Sequence, residues 1–233
     1  MRHLGQVLLL LALAVDASAT EVPAPFVAVY ALTQGSLSLG SMERRFERTA
    51  DGGYRFWSRM QTSGLLALVR SDTIIESSSG HVRDGRFVPD SYAYSNSHRD
   101  KHYALRFDYA SGTVSRSDEP QGWRAAMPAA VLDKLVYQMQ MMVDLATQSP
   151  PLRYAVADKN KLKDYVFDHG GREDIATEAG RYSAVRLERG AADADRHTTV
   201  WCAAELNWLP VKVAYHEKDG SVTTALLRSL RAP

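Results

Sequence analysis

Apolar and polar residues alternate along most of the chain, with the period of two that is typical of half-buried β-strands. The first such segment is Phe26–Leu32, and turn signals such as Asp51-Gly52-Gly53 and Asp219-Gly220 separate later ones. The further segments are Tyr54–Gln61, Thr73–Ser79, Arg86–Ser95, His102–Tyr109, Leu162–Asp168, Tyr182–Arg189, Val211–His216 and Thr223–Leu230. Short strands joined by such turns predict an antiparallel sheet in which neighbours along the chain pair.

One segment changes to the period of an α-helix. Its apolar residues recur at the spacing of a single helix face, and they are Leu132, Leu135, Val136, Met139, Met142, Val143 and Ala146. Pro128 suits a first helical turn, and Ser149-Pro150-Pro151 would end the helix. The pattern predicts one long helix at about 128–147, packed against the sheet through its methionine-bearing face.

The first residues have the pattern of an export signal. Arg2 and His3 precede an uncharged apolar run, Leu4–Val15, and Ala17-Ser18-Ala19 matches the small-x-small cleavage pattern. A run of about 12 residues is shorter than the ~20 that a spanning helix needs. We predict a signal peptide at 1–19, a single domain at 20–233, a periplasmic location and no transmembrane span after cleavage. An uncleaved N-terminal anchor is the alternative.

Composition narrows the function classes. The 233 residues are 45% apolar and 24% charged, with a net charge of +1, so the chain is globular and has no strong basic excess for nucleic acid. The single cysteine, Cys202, excludes an intramolecular disulfide framework and a cysteine-rich metal site. Because it lies in an apolar, strand-like segment, we expect a buried, inert thiol.

Motifs for catalysis and metal binding are mainly absent from the sequence. The sequence contains no nucleophile elbow, phosphate-binding loop, dinucleotide fingerprint or zinc-protease helix motif. His98 and His102 would share a helix face, but four residues of extended chain would separate them by about 13 Å. A solvated hairpin is the favoured interpretation, and we predict no catalytic residue, no metal site and no cofactor.

Aromatic residues recur on alternate strand positions and favour an apolar cleft. If the sheet curves, these rings and the helix methionines would face each other across its concave side. Arginines on the second hairpin would then pair with a carboxylate or phosphate at the cleft rim. The predicted ligand-binding set is Met139, Met142, Tyr92, Tyr94, Tyr103, Phe107, Arg55 and Arg59. Ordinary core packing is the alternative for each aromatic residue and methionine, and an exposed, ion-paired sheet face is the alternative for the arginines.

Several motifs together resemble a known family. The segments that carry the resemblance are Phe26–Tyr30, Leu132–Leu135 with Tyr137-Gln138, Thr177–Tyr182, Trp201 and Leu209–Val213. Their order along the chain is similar to that of DUF3108, a periplasmic domain of unknown function. The resemblance implies a mainly β fold: a curved, incompletely closed antiparallel sheet, or half-barrel, with one long α-helix packed against it. This is similar in outline to the periplasmic carriers of lipoproteins, and no catalytic residues come with it.

Three classes of function follow from these observations. The first is an exported, non-enzymatic binding module for a lipid, acyl chain or other apolar ligand. The second is a structural or regulatory cell-envelope factor that binds another protein through a sheet edge or an arginine-rich face. The third is a hydrolase whose catalytic groups lie far apart in the sequence and converge in the fold.

Overall fold

The computed structural model describes residues 22–63, 72–119, 121–190 and 196–233, and the predicted signal peptide at 1–19 lies outside them. The strands in these residues are β1 (Phe26–Gln34), β2 (Leu37–Arg48), β3 (Gly53–Thr62), β4 (Thr73–Arg83), β5 (Arg86–Asn96), β6 (Lys101–Asp108), β7 (Thr113–Arg116), β8 (Arg124–Ala126), β9 (Leu132–Asp133), β10 (Leu152–Asp158), β11 (Lys161–Thr177), β12 (Gly180–Arg189), β13 (His197–Ala203), β14 (Leu209–His216) and β15 (Val222–Arg231). The helical elements are α1 (Tyr137–Leu145) and a 3-10 turn at Ala204–Leu206.

The described strands form one 15-stranded sheet in the order β8-β7-β6-β5-β4-β3-β2-β1-β15-β14-β13-β12-β11-β10-β9. Neighbours pair antiparallel throughout, except that β9 pairs parallel with β10. The first described strand pairs with both β2 and β15, so the first and last described strands lie side by side in the middle of the sheet. The sheet is not closed into a barrel, which confirms the predicted half-barrel.

The two faces of the sheet differ in burial, as alternation predicts. On β3, Tyr54, Phe56 and Ser58 are buried, whereas Arg55 and Arg59, at positions of the other parity, are exposed. We call the buried face concave and the exposed face convex.

The helix α1 lies on the concave face and contacts strands on both sides of the half-barrel. The Tyr137 ring stacks on Phe167 of β11 at 5.9 Å between centroids. The side-chain oxygen of Gln140 accepts a hydrogen bond of 2.9 Å from the Phe87 amide of β5. The helix is therefore buried on almost every side, rather than along a single stripe.

The helix is shorter than the predicted range of 128–147. Leu132 and Asp133 form β9 instead, pairing with Val156 and Ala157 of β10. The carboxylate of Asp133 then accepts the amide hydrogens of the residues at 135 and 136, each at 2.8 Å, and this turn precedes α1. Apolar residues at 132, 135 and 136 are buried by this strand and turn, so their helical spacing does not require a helix.

The thiol of Cys202 is free and fully buried in β13. Burial raises its pKa well above the ordinary range of a thiol, since the thiolate would be desolvated. This confirms the prediction of a buried cysteine and gives it the character of a small apolar side chain.

Candidate functional site

Three of the predicted aromatic residues converge on one cation. The ammonium of Lys134 lies 4.4 Å from the ring centroid of Tyr94 and 5.9 Å from those of Tyr92 and Tyr103. We call this arrangement the lysine cage. Its three rings already hold a cation from the turn before α1, so they are paired within the chain.

Carboxylates complete the lysine cage. Glu76 lies 3.1 Å from the Lys134 ammonium and accepts a hydrogen bond of 2.6 Å from the Tyr92 hydroxyl. Burial alone would lower the pKa of Lys134, but Glu76 raises it, and the net result is a value above the usual range. The Tyr103 hydroxyl donates to Asp158 at 3.1 Å. The cage therefore ties β4, β5 and β6 to the pre-helix turn and to β10.

The predicted methionines and Phe107 lie in the protein core. Met139 is 1% exposed, and Met142 and Phe107 are also buried. Met142 additionally borders two cavities, of about 230 and 340 Å³, which Pro23 and Ala24 also line. Met139, Met142 and Phe107 therefore belong to the same buried core as the aromatic set.

Arg55 and Arg59 were predicted to pair with a ligand carboxylate or phosphate at the rim of the concave cleft. The structure places both side chains on the convex face instead. Each is exposed in the middle of β3. Arg55 lies across from Glu47 in the register of β2, and Arg59 lies across from Glu43. The hairpin of β2 and β3 forms as predicted. Successive residues of a strand point to opposite faces of the sheet, so the side chains of Arg55 and Arg59 lie on the face opposite to Tyr54, Phe56 and Ser58.

A different arginine of the same hairpin does face inward. Arg44 of β2 is only 5% exposed, between the buried residues Met42 and Phe46. Its Nη1 donates to the Gln138 side-chain oxygen at 2.5 Å, and its guanidinium carbon lies 5.6 Å from the Tyr30 ring centroid. Its Nε is buried without a hydrogen-bond partner. The period-two pattern contained this signal, because Arg44 shares the parity of its apolar neighbours.

A second arginine reaches into the half-barrel from β12. The Arg189 guanidinium carbon lies 4.2 Å from the Tyr165 ring centroid, and its Nη2 donates to Thr198 at 2.9 Å. Its Nε is also buried without a partner. We call Arg44 and Arg189 the inner arginines. In the part of the chain that the structure describes, neither forms an ion pair with a carboxylate.

The inner arginines act on the same tyrosine at the start of α1. Burial raises the pKa of Tyr137 above its usual range, whereas the positive charges of Arg189 and Arg44 oppose that rise. Tyr215 of β14 acts electrostatically on both Tyr137 and Tyr30. Arg44 bonds to Gln138 of α1, and Arg189 lies over Tyr165, whose ring centroid is 5.2 Å from that of Tyr137, so both inner arginines lie near the beginning of the helix.

Two cavities lie at this end of the half-barrel. The first, which we call the apolar cavity, has a volume of about 240 Å³ and is lined by Leu32, Leu39, Met60, Ile74 and polar neighbours. The second, the lateral cavity, has a volume of about 440 Å³, and Arg189 is among its lining residues.

The lateral cavity lies where the sheet divides. Pairing between β11 and β12 stops at Asp168 and Glu188, so Arg189 has no partner on β11. The preceding part of β11, Lys161–Phe167, pairs with β10 instead. The gap is lined by Asp164 and Val166 on one side and by Arg189, Thr198 and Tyr215 on the other.

Of the two histidines in the sequence pattern, His98 lies in the turn between β5 and β6, and His102 lies in β6. His98 Nδ1 is 3.3 Å from a carboxylate oxygen of Asp72, which directly precedes β4. Within the described ranges, no three histidine, cysteine, aspartate or glutamate side chains gather as a metal site would require. The helix found in those ranges is not long and apolar enough to cross a membrane.

The open, curved sheet and the helix buried on its concave side define the class of this protein, a half-barrel with a helix inside it. The chain belongs to DUF3108, a family of unknown function, whose model matches residues 29–227. No curated protein matches the chain. The family assignment confirms the resemblance seen in the sequence.

Solved structures with a similar fold have low sequence identity to this chain. A β-barrel-like protein of the domain of unknown function DUF1849 from Brucella abortus has a TM-score of 0.60 at 11% identity, with 89% of this chain and 97% of that chain covered. This likeness shows a shared fold. MucB in complex with MucA gives a TM-score of 0.37 at 13% identity, covering 90% of this chain and 51% of that chain, which adds nothing to the fold assignment.

Proposed function

We propose that this protein is an exported cell-envelope binding module that holds an apolar or acyl ligand on its concave side. The observation that carries the proposal is the apolar cavity, in which β1, β2, β3 and β4 each contribute an apolar side chain. The export signal predicted at 1–19 supports the envelope location. N-terminal sequencing of the exported protein, expected to begin at Thr20, checks that part of the proposal.

The apolar cavity has the chemistry that an acyl chain needs. Burial of a chain contributes about 0.8 kcal/mol per methylene, so eight carbons contribute roughly 6 kcal/mol before the cost of association. The cavity holds about 240 Å³, below the range of about 300–1,000 Å³ that is typical for drug-sized ligands. Because about 6 kcal/mol alone corresponds to a Kd of roughly 40 µM, the cost of association makes the affinity of the apolar part alone weaker than that.

Two consecutive isoleucines on β4 provide a matched test. Ile74 lines the apolar cavity, whereas Ile75 points to the convex face and is 43% exposed. With a fluorescent fatty-acid probe, we expect saturable binding that Ile74→Asp weakens about tenfold or more, because a carboxylate is costly in an apolar cavity. Ile75→Asp should leave the affinity unchanged.

The outcome separates this function from the alternatives. Equal effects of the two substitutions would contradict binding in the apolar cavity. An absence of saturable binding by wild-type protein would favour the envelope factor that binds another protein.

A further inference from the structure

We propose that the inner arginines form a binding site for an anionic group, so that the ligand is an anionic amphiphile with a carboxylate or phosphate head. This inference rests on the proposed function and specifies its ligand. The acyl part would occupy the apolar cavity, and the head would lie between Arg44 and Arg189 at the start of α1.

The first argument is the uncompensated charge. Arginine stays protonated in proteins, and burying a cation without a counter-ion is destabilising because the cation loses its hydration. Arg116 shows how this chain compensates a buried arginine: it is 8% exposed and pairs with Asp118 at 2.5 Å and Glu119 at 2.9 Å. Arg44, which is more buried, contacts a neutral amide and a tyrosine ring instead, within the described residues. The missing counter-ion is what a ligand anion would supply.

The neighbouring tyrosines do not act as counter-ions. Burial raises the pKa of Tyr30 to about 12, and its hydroxyl donates to the Pro210 carbonyl at 2.9 Å. Burial likewise raises the pKa of Tyr137 and of Tyr165. All three are neutral at physiological pH, so the positive charges of the inner arginines remain.

The second argument is the geometry of the donors. A carboxylate or phosphate is bound best by two parallel N–H groups of one guanidinium. In both inner arginines the Nε is buried without an acceptor, while one Nη already donates to a neutral side chain. That Nη orients each guanidinium, and the Nε remains available to an oxyanion.

The third argument is access. Arg189 lines the lateral cavity of about 440 Å³ together with the hydroxyl groups of Thr198 and Tyr215. Two carboxylates also line it: Asp164, and Glu217, whose carboxylate pairs with Arg196 at 2.8 Å. An anionic head entering through this gap would meet Arg189 first, and Arg44 is the more buried of the two inner arginines.

The test compares ligands that share one chain and differ in the head. Affinities of decanoate, decyl phosphate and decanol are measured by calorimetry, with inorganic phosphate alone as a fourth probe. We expect the two anionic amphiphiles to bind about 10–100-fold more tightly than decanol, the range that a charge-assisted hydrogen bond supplies. Arg44→Met and Arg189→Met should remove that preference and leave decanol affinity unchanged. Arg106→Met, an exposed arginine on β6, is the matched control.

Stability of the ligand-free protein gives a second readout. If Arg44 serves binding, Arg44→Met should leave the urea midpoint unchanged or higher, because an unpaired buried charge is removed. A lower midpoint together with unchanged ligand preference would indicate a structural role and overturn the inference. If Arg44→Met does not fold, the less buried Arg189→Met decides.

The remaining outcomes are distinct. Equal affinity for all three ten-carbon probes would overturn the anion site and leave the proposed function standing. Binding of inorganic phosphate alone, lost in Arg44→Met, would support the anion site and assign its ligand to free phosphate. No binding of any probe would overturn both proposals.

Discussion

At the scale of single residues, Asp133 is an ionisable group that is buried and held by several hydrogen bonds. Its side chain is fully buried, accepts a hydrogen bond of 2.6 Å from Ser78 and also accepts the two backbone amides that set the turn before α1. The Tyr54 hydroxyl lies 2.9 Å from Ser78, whose own proton is committed to the carboxylate. Burial raises the pKa of Asp133 from 3.8 to about 6, although these hydrogen bonds oppose the rise.

The raised pKa of Asp133 predicts a pH dependence of stability. Between about pH 4 and pH 6 the folded state binds more protons than the unfolded state at this group, so its contribution is present below pH 4 and lost as the pH rises through 6. Two pKa units correspond to about 3 kcal/mol. We expect the free energy of unfolding of Asp133→Asn, relative to wild type, to rise by about that amount between pH 4 and pH 7.

Urea denaturation of both proteins across this range measures the difference. The side-chain amide that Asp133→Asn introduces can keep the backbone hydrogen bonds through its oxygen, so the comparison isolates the charge. A difference that does not change with pH would contradict the raised pKa.

At the scale of elements, the strands were predictable and the helix only in part. Period-two segments such as Phe26–Leu32 became strands because each has one buried face. Gln140 is not part of the apolar stripe of the helical pattern, which would place it on a solvent-facing side, but it is 3% exposed and bonded to the Phe87 amide and Asp144. An amphipathic pattern assumes one protein face and one solvent face. Here the sheet curves around the helix, and that curvature is not visible in local periodicity.

Substitutions in and beside α1 test this arrangement. Leu135→Asp should lower the free energy of unfolding by several kcal/mol, since an unpaired charge would be buried. Gln140→Ala should also cost about 1–3 kcal/mol, because the buried Phe87 amide loses its acceptor. Gln148→Ala, at an exposed position after the helix, should have an effect within about 0.5 kcal/mol. Equal small effects of Gln140→Ala and Gln148→Ala would show that the outer side of the helix faces solvent.

At the scale of the whole molecule, the candidate site depends on contacts between residues far apart in the chain. Sequence patterns placed Tyr92, Tyr94 and Tyr103 on one face, and the structure groups their rings, but Lys134 lies about 30 residues further on. The cage forms only because the sheet bends until the pre-helix turn meets β5 and β6. Similarly, the parity of Arg44 was readable, whereas its lack of a carboxylate partner among the described residues follows from the packing of α1.

The same bending brings the two ends of the open sheet together through side chains. Arg116 of β7 donates from Nη1 to Asn160, in the turn between β10 and β11, at 3.0 Å. Tyr103 of β6 reaches Asp158 at the end of β10. Hydrogen bonds from Arg116 hold the pKa of the Asp118 carboxyl well below its usual range. We call these contacts the seam, since side chains join two edges that no backbone ladder connects within the described strands.

The seam predicts how the half-barrel opens. Arg116→Met should lower the free energy of unfolding by about 2 kcal/mol or more, because it removes the cross-seam bond and leaves Asp118 without its cation. Asn160→Ala removes only the cross-seam bond and should cost about 1 kcal/mol. Both should speed amide hydrogen exchange in β7 and at the turn between β10 and β11, while Arg106→Met on the convex side of β6 should not. If exchange in these strands stays unchanged in both seam variants, the two edges are held by the packing around α1 alone.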